Sequence, residues 1–228
     1  MKISNSEVMR YLGYCGTEPP EQISAQVKEL CAVFEANVSP KNVFGIWDCK
    51  ADSFSVALGD IVIKSENLAR HLGKCRRAVL LAATLGQEAD TLIRRYTVQG
   101  MEKAVIADAV CTAMIEAYCD DIEKEIAQSG ELSGLTSVRR FSPGYGDFDI
   151  AHQKDFINML NCGKRIGLTL TSACMLAPAK SITAVIGYKY IEDFVNDTEL
   201  KGERKRACCS GGECGAADKC EFRENSGK

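Results

Sequence analysis

Residues 139–149, RRFSPGYGDFD, put an unusual amount of chemistry into one corner of the chain. Arg140 can hold a carboxylate through two parallel hydrogen bonds. Tyr145 offers an aromatic face to a base or a cation. Pro143 fixes one backbone angle, and Gly144 and Gly146 allow conformations that other residues avoid, which also lets a ligand approach the main chain. An amino-acid carboxylate, a positive centre and a purine would use this set well. The same residues would also serve as a tight turn whose arginine caps a helix end.

The second concentration is of thiols. Of twelve cysteines, eight are scattered (Cys15, Cys31, Cys49, Cys75, Cys111, Cys119, Cys162 and Cys174), and read as small buried or half-buried side chains. Cys208, Cys209, Cys214 and Cys220 crowd into the last 21 residues. Four thiolates could close a tetrahedral zinc site or hold an iron–sulfur cluster. The spacing matches no strong signature, and the adjacent Cys208 and Cys209 make joint ligation awkward. A flexible tail of reactive thiols reads the same way.

Other chemistries lack their residues. No G-x-G-x-x-G follows a strand and no G-x-x-x-x-G-K-S/T occurs, so neither a dinucleotide-binding βαβ unit nor a P-loop is supported. His71 and His152 are the only histidines, and neither lies in H-E-x-x-H or D-x-H-x-x-G. Each reads as a surface or helix-end residue. The net charge of −3 argues against a nucleic-acid binder. No apolar run approaches the roughly 18 residues of a membrane span. The start, MKISNSEVMRYLGY, lacks a basic segment followed by an apolar one, so a cytoplasmic location is expected.

The elements that must position these residues follow from hydrophobic period. Residues 5–36 read as helical, with Ser and Asn as caps near residue 4 and the paired prolines 19 and 20 opening a second element whose apolar residues include Val27, Leu30 and Phe34. FSVALGDIVIKS alternates as a strand with Phe54, Val56 and Leu58 on one face. SENLARHLG reads as a short capped helix, and RAVLLAATLG as a strand buried on both faces. QEADTLIRRYTVQG is a helix. A longer one runs to about Ser129-Gly130 with a stripe from Ile106 through Val110, Met114, Tyr118 and Ile122 to Ile126. Another side of that helix carries Ala109, Thr112, Ala113 and Glu116, a carboxylate among small side chains that would otherwise face solvent. Phe156, Met159 and Leu160 mark a further helix. RIGLTLT and SITAVIGY read as two strands joined through SACMLAPAK. The expected class is α+β, a mixed or antiparallel sheet with packed helices.

RRFSPGYG, then a helix, then GLTLT, then APAKS resembles the activation domain of cobalamin-dependent methionine synthase, with its Arg-x-x-Pro-Gly-Tyr loop, later Leu-Thr and then Pro-x-x-Ser before a strand. The helix AVCTAMIEAYCDDIEKEI resembles the one preceding that loop. YLGY and AATLG resemble the version in which the domain is a separate polypeptide. The resemblance implies an activation-like domain over 1–198, with an N-terminal region 1–79, an AdoMet-binding core at about 80–195, and a Cys-rich tail at 199–228. It implies binding of S-adenosylmethionine (AdoMet): Arg140 on the methionine carboxylate, Ser142 and Gly144 through the main chain, Tyr145 packed alongside, Glu116 on the amino or sulfonium side, and Ser181 in a supporting place.

The resemblance further implies reductive methylation of cob(II)alamin on a partner, most simply methionine synthase, with cobalamin supplied by that partner and electrons by a donor such as flavodoxin or ferredoxin. Reactivation of another corrinoid methyltransferase, or a metal-handling or interaction protein that retains the fold, are the alternatives. Here the loop continues Tyr145-Gly146-Asp147 where the family has Tyr-Pro.

Overall fold

The computed structural model describes residues 3–14 and 17–193. Two helices open the chain, α1 (Asn5–Tyr11) and α2 (Glu21–Asn37), the second entered through Pro20. Strand β1 (Lys41–Ala51) and the hairpin β2 (Ser55–Leu58) and β3 (Ile61–Lys64) follow. Next come α3 (Glu66–Leu72), β4 (Arg77–Thr84), α4 (Gln87–Gln99) and the long α5 (Met101–Ala127). Short β5 (Leu135–Ser137), α6 (Gln153–Met159), α7 (Cys162–Ile166), a ribbon of β6 (Thr169–Leu170) and β7 (Leu176–Ala177), and β8 (Ser181–Tyr190) complete it.

One six-stranded sheet, in the order β3-β2-β1-β4-β8-β5, is antiparallel at every pairing. The expected α+β class is therefore met by its antiparallel form. Helices cover both faces. Against one face, α1, α2, α4 and α5 build a core with Val79, Leu81, Ile186 and Tyr188. Against the other, α3, α6 and α7 pack with Leu80, Ala82 and Val185. Strand β4 lies between both layers with β1 and β8 on its flanks, which is why RAVLLAATLG reads as a continuous apolar run.

The α5 stripe faces the first core. Ile106, Val110, Met114, Ile122 and Ile126 are buried, each contributing about 1.5–3 kcal/mol by leaving water. Tyr118 is half-buried at the rim and accepts a hydrogen bond from Asn42 of β1 at 2.8 Å.

Two readings of the sequence are corrected, and one strand was not read from it. FSVALGDIVIKS is a hairpin, not one strand: Gly59, at φ 57°, reverses the chain with Asp60, and Phe54 is exposed before β2 begins. RIGLTLT is not a strand; Ile166 closes α7, Gly167 ends it in the left-handed region, and only Thr169–Leu170 pairs, with β7. Strand β1 carried no sequence signal that assigned it. Among the described residues no helix is long and apolar enough to cross a membrane.

Candidate functional site

The crowded corner hangs from the edge of the sheet. After β5, Val138 N donates to Gly187 O at 2.8 Å, and Phe141 exchanges hydrogen bonds with Val185 of β8 at 2.8 and 2.9 Å. His71 meets the carbonyl of Arg139 at 2.7 Å, and its ring lies against Phe141. The chain then turns tightly. Tyr145 N donates to Ser142 O, Phe148 N to Tyr145 O, and Gly144 N to Phe148 O at 2.7 Å. Gly144 and Gly146 have φ of 97° and 58°, so both glycines are required by the backbone itself. Pro143 is buried beneath the turn, while Tyr145 is 66% exposed above it.

Asp147 fastens the tip of the corner to α3. It accepts from Ser65 Oγ at 2.5 Å and from the main-chain N–H groups of Glu66 and Asn67 at 2.6 and 3.2 Å. These are orphan donors at the helix start, where a negative charge is favoured. The Ser65 hydrogen bond and the two main-chain bonds hold the Asp147 carboxyl below the usual range. A side chain at Gly146 would collide with Asn67, so Gly146 makes room for this docking. The departure Tyr-Gly-Asp is thereby explained: the glycine fits against α3 and the aspartate caps it.

Arg140 points from the corner to α5. Its Nη1 donates to Glu123, and its Nη2 to Glu116 and Asp120, both at 2.9 Å. The spacing 116, 120, 123 puts all three carboxylates on one face of the helix. Burial opposes the Arg140 charge, but the carboxylates outweigh it, Glu123 foremost, and the guanidinium is held still more firmly protonated than usual. Glu123 moves the other way for a carboxylate. Burial first, with the charges of Asp120 and Glu116 adding to it, leaves its pKa raised although Arg140 pulls it down.

Of the residues singled out from sequence, Glu116 and Arg140 meet, while Ser142, Gly144 and Tyr145 form the turn just after Arg140, with the Tyr145 ring near Phe141. Ser181 lies apart. Its hydroxyl is hydrogen-bonded to Thr84 Oγ1 and Pro178 O at 2.8 and 2.7 Å, tying the start of β8 to the end of β4. It lies four residues along β8 from Val185, the partner of Phe141, or about 13 Å at strand rise. Neighbouring Lys180 reaches α5 instead, pairing with Asp108 at 2.8 Å and Thr112 at 3.1 Å. One polar edge of α5 therefore carries Asp108 and Thr112 at one station and Glu116, Asp120 and Glu123 at the next.

Sequence reasoning did not single out Asp120, Glu123, Asp147 or Lys180. The carboxylates at 116, 120 and 123 offered a signal in their spacing, but the same pattern marks many solvated helix faces. His152 pairs with Asp155 at 2.7 Å beside Phe148. Among the described residues, no group of three or more His, Cys, Asp or Glu is arranged to hold a metal. Cys31, Cys49, Cys75, Cys111, Cys119 and Cys162 are buried, as expected for small core thiols. Cys208, Cys209, Cys214 and Cys220 lie outside the described residues.

The architecture defines an α+β domain with an antiparallel sheet covered on both faces, in which Arg140 reaches from a loop to one long helix. A solved structure of this fold is the reactivation domain of MetH bound to AdoHcy, with a TM-score of 0.60. The two are 14% identical, and the match covers 81% of this chain and 73% of that one. No protein-family model matches the chain, and no curated protein matches it.

Proposed function

We propose that this chain binds AdoMet at the junction of the corner and α5, and supports reductive reactivation of a cobalamin-dependent methyltransferase, methionine synthase in the first instance. The observation that carries the reading is the meeting of Arg140 and Glu116 at 2.9 Å, from positions 24 apart in sequence. The fold shared with a domain crystallised with AdoHcy adds support.

The donor set fits the ligand. A guanidinium fork suits the methionine carboxylate. The carboxylates of α5 suit its ammonium group and sulfonium, and the open face of Tyr145 suits the adenine ring. Gly144 N–H is already spent on Phe148 O, so a main-chain contact there would come from its carbonyl oxygen. Glu116 is the acidic partner, Ser142 lines the turn, and Ser181 braces the β4–β8 junction at a distance.

The chemistry asks positioning of the chain and no acid or base. AdoMet carries an electrophilic methyl group, and a cobalamin held by a partner would supply, once reduced, the nucleophile that takes it. This chain's residues would hold the sulfonium toward the partner and keep water from it. Both histidines are already engaged, with Arg139 O and Asp155, which fits a cofactor brought by the partner. Electrons would come from a flavodoxin- or ferredoxin-like donor. A zinc ion or iron–sulfur cluster on Cys208, Cys209, Cys214 and Cys220 is proposed from their thiolate chemistry alone; iron and zinc analysis of anaerobically purified protein tests it, and absence of both removes it.

The test is anaerobic calorimetric titration with AdoMet on wild type, Arg140→Lys and Arg140→Ala, with thermal melts to establish folding. Saturable binding by wild type, weakened in both variants, is expected. A folded wild type that takes up no AdoMet, alone or with methionine synthase present, overturns the reading.

A further inference from the structure

Three carboxylates around one guanidinium are more than a site for a zwitterion needs. They are also unequal. The side chain of Glu123 is 24% exposed, that of Glu116 41% and that of Asp120 62%, while Arg140 itself is 20% exposed. Nη1 of Arg140 serves Glu123, whereas Nη2 is divided between Glu116 and Asp120.

The inner side is the costly one to disturb. Tyr188 on β8 is 1% exposed, and its hydroxyl has no hydrogen-bond partner among the described residues. Burial first, and then the charge of Glu123, push that phenol up to about 12, so the two groups share a poorly hydrated place. Were Glu123 to leave Arg140, it would become an unpaired charge at a half-buried position. Asp120 has the opposite situation. It is the most exposed of the three, on the shortest side chain, and shares its donor. Water replaces such a contact at little cost.

We infer, resting on the AdoMet reading above, that Asp120 is an internal substitute for the ligand's carboxylate and that Glu123 is the positioning residue that keeps Arg140 aimed while the exchange occurs. In the free protein, Nη2 is occupied by Asp120. On binding, the methionine carboxylate takes that place, Asp120 turns to solvent, and Glu116 meets the incoming ammonium group. Affinity for AdoMet is then set partly by the contest between two carboxylates for one edge of Arg140.

The contest predicts a gain on removal. Asp120→Asn binds AdoMet about 1.4- to 5-fold more tightly than wild type, the range of an exposed ion pair. The gain is absent for decarboxylated AdoMet, which brings no carboxylate. Glu123→Gln weakens AdoMet by about tenfold, the loss of a charge-assisted bond, and changes the decarboxylated ligand far less. A purely structural role for either residue would move both ligands alike.

Calorimetric titration of the full chain with both ligands, beside thermal melts, decides the matter. Wild-type binding with no gain in Asp120→Asn, or an equal gain for both ligands, overturns the exchange and leaves the AdoMet reading standing. If no folded variant binds either ligand, the AdoMet reading falls and takes the exchange with it. Should Glu123→Gln fail to fold, the Asp120→Asn comparison decides alone.

Discussion

The corner at 142–148 and the acidic face of α5 are linked through Arg140, and they are held in opposite ways. The corner is closed by hydrogen bonds: turn bonds within it, β8 at its base, and Asp147 capping α3 at its tip. The α5 face is held by charge, with three anions around one cation. Hydrogen bonds of the first kind fix a backbone shape in one geometry. Ion pairs at a wet surface exchange partners easily. The two together make a rigid wall and an adjustable one, and in the proposed site the adjustable wall is where a charged ligand would enter.

The largest effect that would break this comparison is at the shared residue. Arg140→Ala leaves Glu116, Asp120 and Glu123 without their cation and costs about 1.5–3 kcal/mol of stability, the upper end being reduced by solvent screening at the outer two carboxylates. Denaturant unfolding measures it, and a loss near zero would mean that charge does not hold the α5 face. Next is the rigid wall. Gly146→Ala meets both a left-handed backbone and the Asn67 side chain, and costs about 1–2 kcal/mol in the same assay.

Smaller, but sharper, is the response to pH. Asp147 has a folded pKa below its unfolded value, near 3.8. Its contribution is present above that value and is lost as pH falls through the folded pKa. The stability gap between wild type and Asp147→Asn therefore closes on acidification. Glu123 has a folded pKa above its unfolded value, near 4.5. Its contribution is present below that value and is lost as pH rises through the folded pKa, so the gap between wild type and Glu123→Gln shrinks upward. Thermal melts across the acid range read both, and gaps moving in the same direction would contradict the contrast. Smallest in stability is Tyr145→Ala, expected within about 0.5 kcal/mol because the ring is exposed, yet weakening AdoMet in the titration.

What the sequence disclosed follows the same division. Elements defined by burial were legible: the apolar run of β4 and the stripe of α5 announce two covered surfaces. Strand β1 was not, because KNVFGIWDCKA mixes polar and apolar residues without period. It is half-exposed along most of its length, Asn42 is spent on Tyr118, and Gly45 is there because the Trp47 ring occupies its side-chain space. Alternation misled at RIGLTLT, where a left-handed glycine ends a helix instead of continuing a strand. In the candidate site, Arg140 and the turn residues stood out by type, whereas Glu116 was singled out through the family resemblance and by type alone read as a solvated helix carboxylate. Asp120 and Glu123 were not, since a carboxylate face on a helix gains meaning only when a distant loop folds back over it. Asp147 was hidden for the same reason, its partners lying on α3.

The cap that Asp147 places on α3 also has a schedule. Its partner Asn67 precedes it by 80 residues. At a synthesis rate of about 5–20 residues per second, the start of α3 exists for several seconds before its cap has been made. Nor can the contact form early in a refolding chain, because closing so long a loop is unfavourable until β4 and β8 have brought its ends together. The corner is thus among the last parts to acquire its shape, and a chain arrested before residue 147 carries helix α5 complete and a corner with neither its cap on α3 nor its partner strand β8.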